Sequence, residues 1–416
     1  MKERRIAITG VGMVTPLGRD ARTTWDSILN CKSGIRQIKS FDASRHNCRI
    51  AGEIDNELLQ FTPEGCIAER DLKKMGRFMQ FGFGATHEAI IDSGINLLED
   101  NKKDSIGVYL GSGIGGLGNI EEASVEFNKG KNISPFFIPS TLINLLAGQV
   151  SIKYGFTGPN LSVATACTTG AHAIGEAAKM IRYNEADIMI AGSAEASITP
   201  LGVEGFCACK ALTTKFNTNP EAASRPWDVN RSGFVMSEGA GVVILEELQH
   251  AKNRNANIYA ELTGYGTSGD GYHYTSPHPE GKGALSCMNK ALKDANIHPQ
   301  DIDYVNAHGT STQVGDKIEL VAVQDLLFAA NSKLVMSSTK SSLGHMLGAA
   351  GSVEIALCVL AMRDSVAPPT INLDQQISEV KMNLARNAPH EKRMHYIISN
   401  SFGFGGTNAS IVIKSV

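Results

Sequence analysis

The chain has 416 residues, 42% of them hydrophobic and 19% charged, enough apolar material for a large core and too long for one simple domain. A formal net charge of −3 gives no general pull toward nucleic acid, and no segment has the apolar length of a membrane span. Eight cysteines at irregular spacing form neither Cys-x-x-Cys zinc pairs nor a disulfide framework, so a reducing, cytoplasmic setting is expected, with no metal.

In chain order, residues 6–9 read as a first strand closed by a glycine turn at Gly10 and Gly12. The glycines and Pro16 interrupt the apolar run too early for a secretory leader. A helix is expected over 23–29, a loop over 33–44 and a long helix over 68–93, with Lys73, Lys74 and Arg77 on its early turns. Residues 105–111 form a strand that runs into Gly111-Ser112-Gly113-Ile114-Gly115-Gly116. That loop lacks the lysine and the acidic residue of phosphate-binding loops. A helix follows over 140–154, and a short buried strand over 161–164.

Cys167 stands in Thr165-Ala166-Cys167-Thr168-Thr169-Gly170, where the strand gives way to a helix whose apolar face is Ala171, Ile174, Ala178 and Ile181. A helix N-terminus presents unpaired N–H groups and a partial positive charge, which favour a thiolate and can hold an oxyanion. Two readings stand at this point: a nucleophile, or an inert small residue of the core.

Strands over 186–192 and 239–247 precede a polar junction at 252–257. The second half repeats the order loosely: a helix over 284–295, a strand over 302–307 ending at His308, a strand over 335–338, a turn over 341–348, a helix over 352–362, and a glycine loop over 403–406 feeding a closing strand over 408–413. Alternating strands and helices argue for α/β layers, and the echo between halves for an internal duplication.

A nucleophilic cysteine needs a partner to manage protons and charge. Of eleven histidines, His308 and His345 sit at sharp backbone bends where side chains reach a cleft. His46, His87, His250, His298, His390 and His395 read as surface or satisfied core residues. Read with these two, Cys167 becomes a candidate nucleophile.

Four stretches carry a resemblance across nearly the whole chain: Thr165-Ala166-Cys167-Thr168; Asn306-Ala307-His308-Gly309-Thr310-Ser311-Thr312; Ser338-Thr339-Lys340-Ser341 through Gly344-His345; and Asn400-Ser401-Phe402-Gly403-Phe404-Gly405-Gly406-Thr407-Asn408. The chain resembles the elongating β-ketoacyl-acyl-carrier-protein synthases. The resemblance implies a thiolase-like α/β fold with duplicated βαβαβαββ halves in five layers, αβαβα, here divided as 1–255 and 256–416 and assembled as a homodimer. Cys167 would take the acyl chain as a thioester, and His308 and His345 would stabilise the enolate formed when the malonyl group decarboxylates. Lys340 and its acidic counterpart Glu319 would set the histidine network and local field. Thr310 and Thr312 would hold the phosphopantetheine arm, Phe404 would gate the site beside Phe402, and Ile114 would line the acyl pocket. Arg70, Lys73, Lys74 and Lys210 would dock the acyl carrier protein, which brings the phosphopantetheine; no cofactor of the chain's own is implied. Thr169 and the pair Met346-Leu347 depart from the family pattern at positions without a chemical role.

Three further readings compete. One is a ketosynthase of a polyketide or specialised lipid pathway, and another a non-catalytic acyl- or carrier-binding protein, against which the intact Cys167, His308 and His345 argue. The third, a cysteine hydrolase, needs water that a buried apolar site disfavours. Initiating condensing enzymes use Cys-His-Asn, and a histidine at 345 argues against that branch.

Overall fold

The computed structural model describes residues 4–55, 67, 69–72 and 74–416. Among the described residues ten strands form one sheet: β1 (Ile6–Val14), β2 (Ile106–Gly111), β3 (Asn160–Leu161), β4 (Ile188–Glu195), β5 (Gly239–Glu247), β6 (Ala260–Gly269), β7 (Tyr304–Asn306), β8 (Val335–Ser337), β9 (Tyr396–Gly403) and β10 (Thr407–Lys414). The order across the sheet is β8-β7-β9-β10-β6-β1-β5-β4-β2-β3. From either edge inward, each run of five strands follows the sequence third, second, fourth, fifth, first. The halves meet where β1 pairs antiparallel with β6, Ile6 opposite Leu262 and Ile8 opposite Ala260. The duplicated topology is thus explicit: β1–β5 fall within residues 1–255 and β6–β10 within 256–416.

Six helices build the layers: α1 (Arg77–Ser93), α2 (Asn144–Tyr154), α3 (Thr169–Arg182), α4 (Lys282–Ala295), α5 (Gln313–Val323) and α6 (Ala350–Asp364). The pair α3 and α6 lies in the middle, packed on each other and on strands of both halves. One core cluster therefore runs through Ile174, Val243, Ile355, Ile397 and Ile411. Helices α1 and α2 cover the outer face of the first half, and α4 and α5 that of the second. Strands covered on both faces lose the alternation of a half-exposed sheet, which is why every residue of β1 and β4 is buried. Gly10 and Gly12 are required where α1 crosses β1: a Cβ there would lie 2.5 Å from the Ala89 carbonyl oxygen and 2.0 Å from that of Ala85.

Several sequence expectations are corrected. The helix expected over 68–93 is interrupted: Glu69–Leu72 is a single turn, and α1 starts only after Gly76, whose ψ of 155° is extended. The helix expected over 140–154 divides into Phe137–Thr141 and α2, because Leu142 is extended. The buried strand expected over 161–164 is only β3, an exposed two-residue edge. Strands β6 and β9 gave too mixed a pattern to be picked out, β6 because three glycines and polar residues dilute it.

Candidate active site

Cys167 sits on the single 3₁₀ turn Ala166–Thr168, immediately before α3. Ala166 is left-handed with φ 49°, and the local hydroxyls hold this turn. Thr169 Oγ1 accepts the Thr165 N–H at 2.9 Å and donates to the Ala166 carbonyl at 2.8 Å, while Thr168 Oγ1 donates to the Thr407 carbonyl at 2.9 Å. Small and hydroxyl residues are needed because the turn is fastened through side chains. Gly403 lies so near it that a Cβ would fall 2.6 Å from Thr168 Oγ1.

The thiol opens into a pocket of about 340 Å³ that brings together Cys167, His308, His345, Thr310, Thr312, Phe402 and Phe404, with Lys210 on its wall. The expectation that the helix terminus leaves a thiolate is corrected. Burial dominates and pushes the thiol up to about 11, although the Phe404 and Cys167 N–H groups and the Lys340 charge pull it down. The resting group is a thiol. The same two N–H groups lie near enough to the sulfur to pull the thiol down, and a carbonyl bound to that sulfur would bring its oxygen within their reach.

His308 and His345 stand edge to face, their ring centroids 5.3 Å apart at 88°. Phe402 packs beside His308, and Phe234 meets His345 at 5.1 Å. Burial first, and then the Lys340 charge, hold both imidazoles well below the usual histidine range, so both are neutral. A neutral imidazole still carries one N–H to donate. Neither Nδ1 has a hydrogen-bond partner among the described residues.

Lys340 is buried in an ion pair with Glu354 on α6. This corrects the place given to Glu319. Glu319 instead accepts the backbone N–H of His308 at 2.8 Å and of Gly309 at 2.7 Å, fixing the bend that aims His308. Burial raises both carboxyls to about 7, against the pull of those N–H groups on Glu319 and of Lys340 on Glu354. Sequence reasoning missed Glu354, yet a signal existed: it is the one charged residue between Ala350 and Met362, a helix stretch buried throughout.

Thr310 and Thr312 pair their hydroxyls at 3.0 Å on the pocket wall. Arg231, also unnoticed in the sequence, donates to the Thr312 carbonyl at 3.0 Å, and Asp316 accepts the Thr312 N–H at 3.2 Å. Phe404 stands against Phe206, ring centroids 6.5 Å apart, ahead of the left-handed Gly405 and Gly406. Gly405 donates to the Tyr274 carbonyl at 2.7 Å, and the Asp270 N–H donates to the Gly406 carbonyl at 2.8 Å.

Ile114 lies apart from this pocket, 37% exposed, and its N–H reaches Glu195 at 3.3 Å. Of the docking residues, Lys73 lies outside the described residues. Arg70 is exposed, and Lys74 pairs with Asp71 at 2.8 Å. Arg77 does not share their face. It points inward to the buried Glu238 at 2.8 Å, because the break at Gly76 separates the two helices. Among the described residues no helix is long and apolar enough to cross a membrane, and no three His, Cys, Asp or Glu side chains are grouped to hold a metal.

Residues 3–251 match the family described as "Beta-ketoacyl synthase, N-terminal domain", and residues 259–374 that described as "Beta-ketoacyl synthase, C-terminal domain". The chain is 48% identical over 418 residues to a 3-oxoacyl-[acyl-carrier-protein] synthase 2 of Coxiella burnetii, covering all of both chains. It is 42% identical over 441 residues to a mitochondrial 3-oxoacyl-[acyl-carrier-protein] synthase of Arabidopsis thaliana, covering 99% of this chain and 94% of that one. Among solved structures, a type II polyketide ketosynthase in complex with its acyl carrier protein superposes with a TM-score of 0.90 at 31% identity, covering all of both chains. A beta-ketoacyl synthase from Burkholderia phymatum gives the same TM-score at 30% identity, covering 99% of this chain and all of that one. The duplicated five-layer fold is that of the thiolase-like ketosynthases, and the chain belongs to the beta-ketoacyl synthase family.

Proposed function

We propose that the protein is an elongating condensing enzyme of fatty-acid biosynthesis, a 3-oxoacyl-[acyl-carrier-protein] synthase of type 2. One observation carries the mechanism: a buried thiol and two neutral imidazoles share one pocket, with two backbone N–H groups on the sulfur. In the first half-reaction Cys167 Sγ attacks the acyl thioester of the carrier's phosphopantetheine. The S–C bond to the arm breaks, and the proton lost by Cys167 ends on the departing thiol. Exchange of one thiol for another is proton-neutral overall, so a resting thiol near 11 serves as well as a thiolate if the proton moves during attack.

In the second half-reaction the malonyl carboxylate leaves as CO₂, and its bonding electrons become an enolate. The N–H groups of His308 and His345 stabilise the enolate oxygen. Its carbon attacks the Cys167 thioester, the oxyanion rests on the N–H groups of Cys167 and Phe404, and collapse breaks the C–S bond, releasing 3-oxoacyl-carrier protein and a Cys167 thiolate that takes up one proton from solvent to return to the resting thiol. Thr310 and Thr312 hold the arm, Phe402 and Phe404 close the site, and Ile114, outside the pocket that holds the thiol, bounds the acyl chain where it extends beyond that pocket. Lys340 with Glu354, and Glu319 through the His308 bend, set the field and geometry.

The partner is an acyl carrier protein, met by Arg70, Lys73, Lys74 and Lys210, and the setting is cytoplasmic. The assembly is a homodimer. The edge strand β3 is exposed, and the helix Leu117–Asn128 buries no residue although it carries Ile120, Val125 and Phe127. An apolar surface of this kind marks an interface. The higher identity to fatty-acid synthases than to the polyketide ketosynthase favours the primary pathway over the specialised one. The test is mass spectrometry after mixing with acyl-carrier protein, followed by malonyl-carrier protein. An acyl adduct on Cys167 that disappears with formation of 3-oxoacyl product is expected; no adduct would leave only a binding protein.

A further inference from the structure

The glycine loop after β2, which matched no phosphate-binding pattern, wraps the carboxylate of Glu195 at the end of β4. Glu195 is fully buried, and five donors surround it. Oε2 accepts the N–H of Gly113 at 2.9 Å and of Gly348 at 3.1 Å. Oε1 accepts Ser197 Oγ at 2.9 Å, Ser112 Oγ at 3.2 Å and the Ile114 N–H at 3.3 Å. Ser112 Oγ itself accepts the Gly115 N–H at 3.0 Å, which leaves its own proton for Glu195. A ring made only of donors suits a carboxylate, and it offsets part of the burial that pushes this carboxyl up.

The ring also explains two glycines. A Cβ on Gly113 would lie 2.6 Å from Glu195 Oε2, and one on Gly348 would lie 2.7 Å from it and 2.3 Å from the Gly113 nitrogen. Both backbones are bare so that one carboxylate can join them. Gly348 belongs to the turn Leu347–Ala349, which packs against the turn carrying Cys167. Ser193 Oγ fastens the same turn, donating to the Gly348 carbonyl at 2.8 Å.

We propose that Glu195 is a positioning residue that ties the loop 112–114 to the turn facing the nucleophile, and thereby sets which acyl chains Cys167 accepts. The inference rests on the reading of Cys167 as acyl acceptor and of Ile114 as a wall of the acyl pocket. Glutamine at 195 would turn an amide NH₂ toward N–H donors, so either Ile114 or the Gly348 turn must move. Aspartate keeps the charge but draws it back by one methylene.

The experiment follows Cys167 acylation by butanoyl, octanoyl and hexadecanoyl carrier protein, malonyl decarboxylation, and the pH profile of Cys167 alkylation. In Glu195→Gln the ratio of long-chain to short-chain acylation shifts by about tenfold, while decarboxylation stays within about threefold. Alkylation moves to lower pH, because the Glu195 charge holds the thiol up. Glu195→Asp keeps the parental alkylation profile and shows a smaller chain-length shift. Equal losses at all chain lengths and in decarboxylation would overturn the proposal, as would an unchanged ratio. If Glu195→Gln fails to fold, Ser112→Ala and Ser197→Ala each remove one donor and leave the charge; a chain-length shift in the same direction supports the proposal, and an unaltered ratio in both overturns it. A parent protein that forms no adduct on Cys167 would refute the functional reading instead, which keeps the two failures distinct.

Discussion

Replacing Lys340 by methionine separates what the buried ion pair does for stability from what it does for chemistry. Lys340 is 2% and Glu354 3% exposed, so water screens neither charge. Removing one partner of such a pair leaves an uncompensated buried charge and costs about 3–5 kcal/mol. At roughly 2.1 cal/mol/K per residue the unfolding entropy of this chain is about 0.9 kcal/mol/K, so the midpoint should fall by about 3–6 °C. Lys340→Met with Glu354→Leu removes both charges and should recover most of that loss. The chemistry should not recover. Lys340 lowers the Cys167 thiol, and each unit of upward shift slows alkylation about tenfold at fixed pH below the pKa. Scanning calorimetry and iodoacetamide kinetics on the parent, the single and the double variant give both quantities. A single variant as stable as the parent would show that the pair is not desolvated, and alkylation at the parental rate in both variants would remove Lys340 from the field at the sulfur.

Cys167→Ala should abolish condensation and leave malonyl decarboxylation measurable by CO₂ release; elongation at the parental rate would disprove the nucleophile. His308→Ala and His345→Ala should each lower decarboxylation by about 10²–10³ while sparing acyl transfer more, and an unchanged CO₂ rate would clear that histidine of the role. Arg70→Glu with Lys74→Glu should raise the apparent KM for carrier-bound substrates and flatten its salt dependence, with small pantetheine thioesters unaffected; equal loss with both would point to damage at the site. Glu88 accepts the N–H groups of Met13 and Ala21, and burial pushes its carboxyl from 4.5 up to about 8. Between those values the folded protein holds a proton the unfolded chain has lost, so its contribution lowers stability as pH rises from about 4.5 to 8 and is level above. Urea midpoints from pH 5 to 9 should slope less in Glu88→Gln, by up to about 1.4 kcal/mol per pH unit; parallel slopes would contradict the burial argument.

The site was legible where a motif and a bend coincide. Cys167, His308 and His345 each stand at the end of an element flanked by glycine or hydroxyl residues, a pattern that sequence carries directly. The central helices and α4 were legible through their apolar faces and α1 and α2 in part, whereas α5 (Gln313–Val323) was not, its first turn being polar and glycine-containing. What escaped depends on partners distant in the chain. Glu354 stands out in the sequence as the one charge of an apolar helix stretch, but its partner emerges only when Lys340, fourteen residues earlier, is folded against it. Arg77 looked like a surface cation beside Lys74, and only the break at Gly76 turns it toward Glu238. The thiol's state was misjudged because a helix terminus is a local feature, whereas desolvation is set by everything packed around the sulfur.

The turn before α6 copies the turn before α3 down to its left-handed residue, with Leu347 and Ala166 both at φ 49°. Gly348 then occupies in the second half the place that Cys167 holds in the first. A repeat that could have housed two reactive sulfurs houses one, and the vacated position is taken by backbone that Glu195 grips. With Cys167 as the proposed acyl acceptor, each chain stores one acyl group at a time, however much donor surrounds it. Every turnover must discharge that group before the next is loaded, so growth of the chain proceeds by strict alternation.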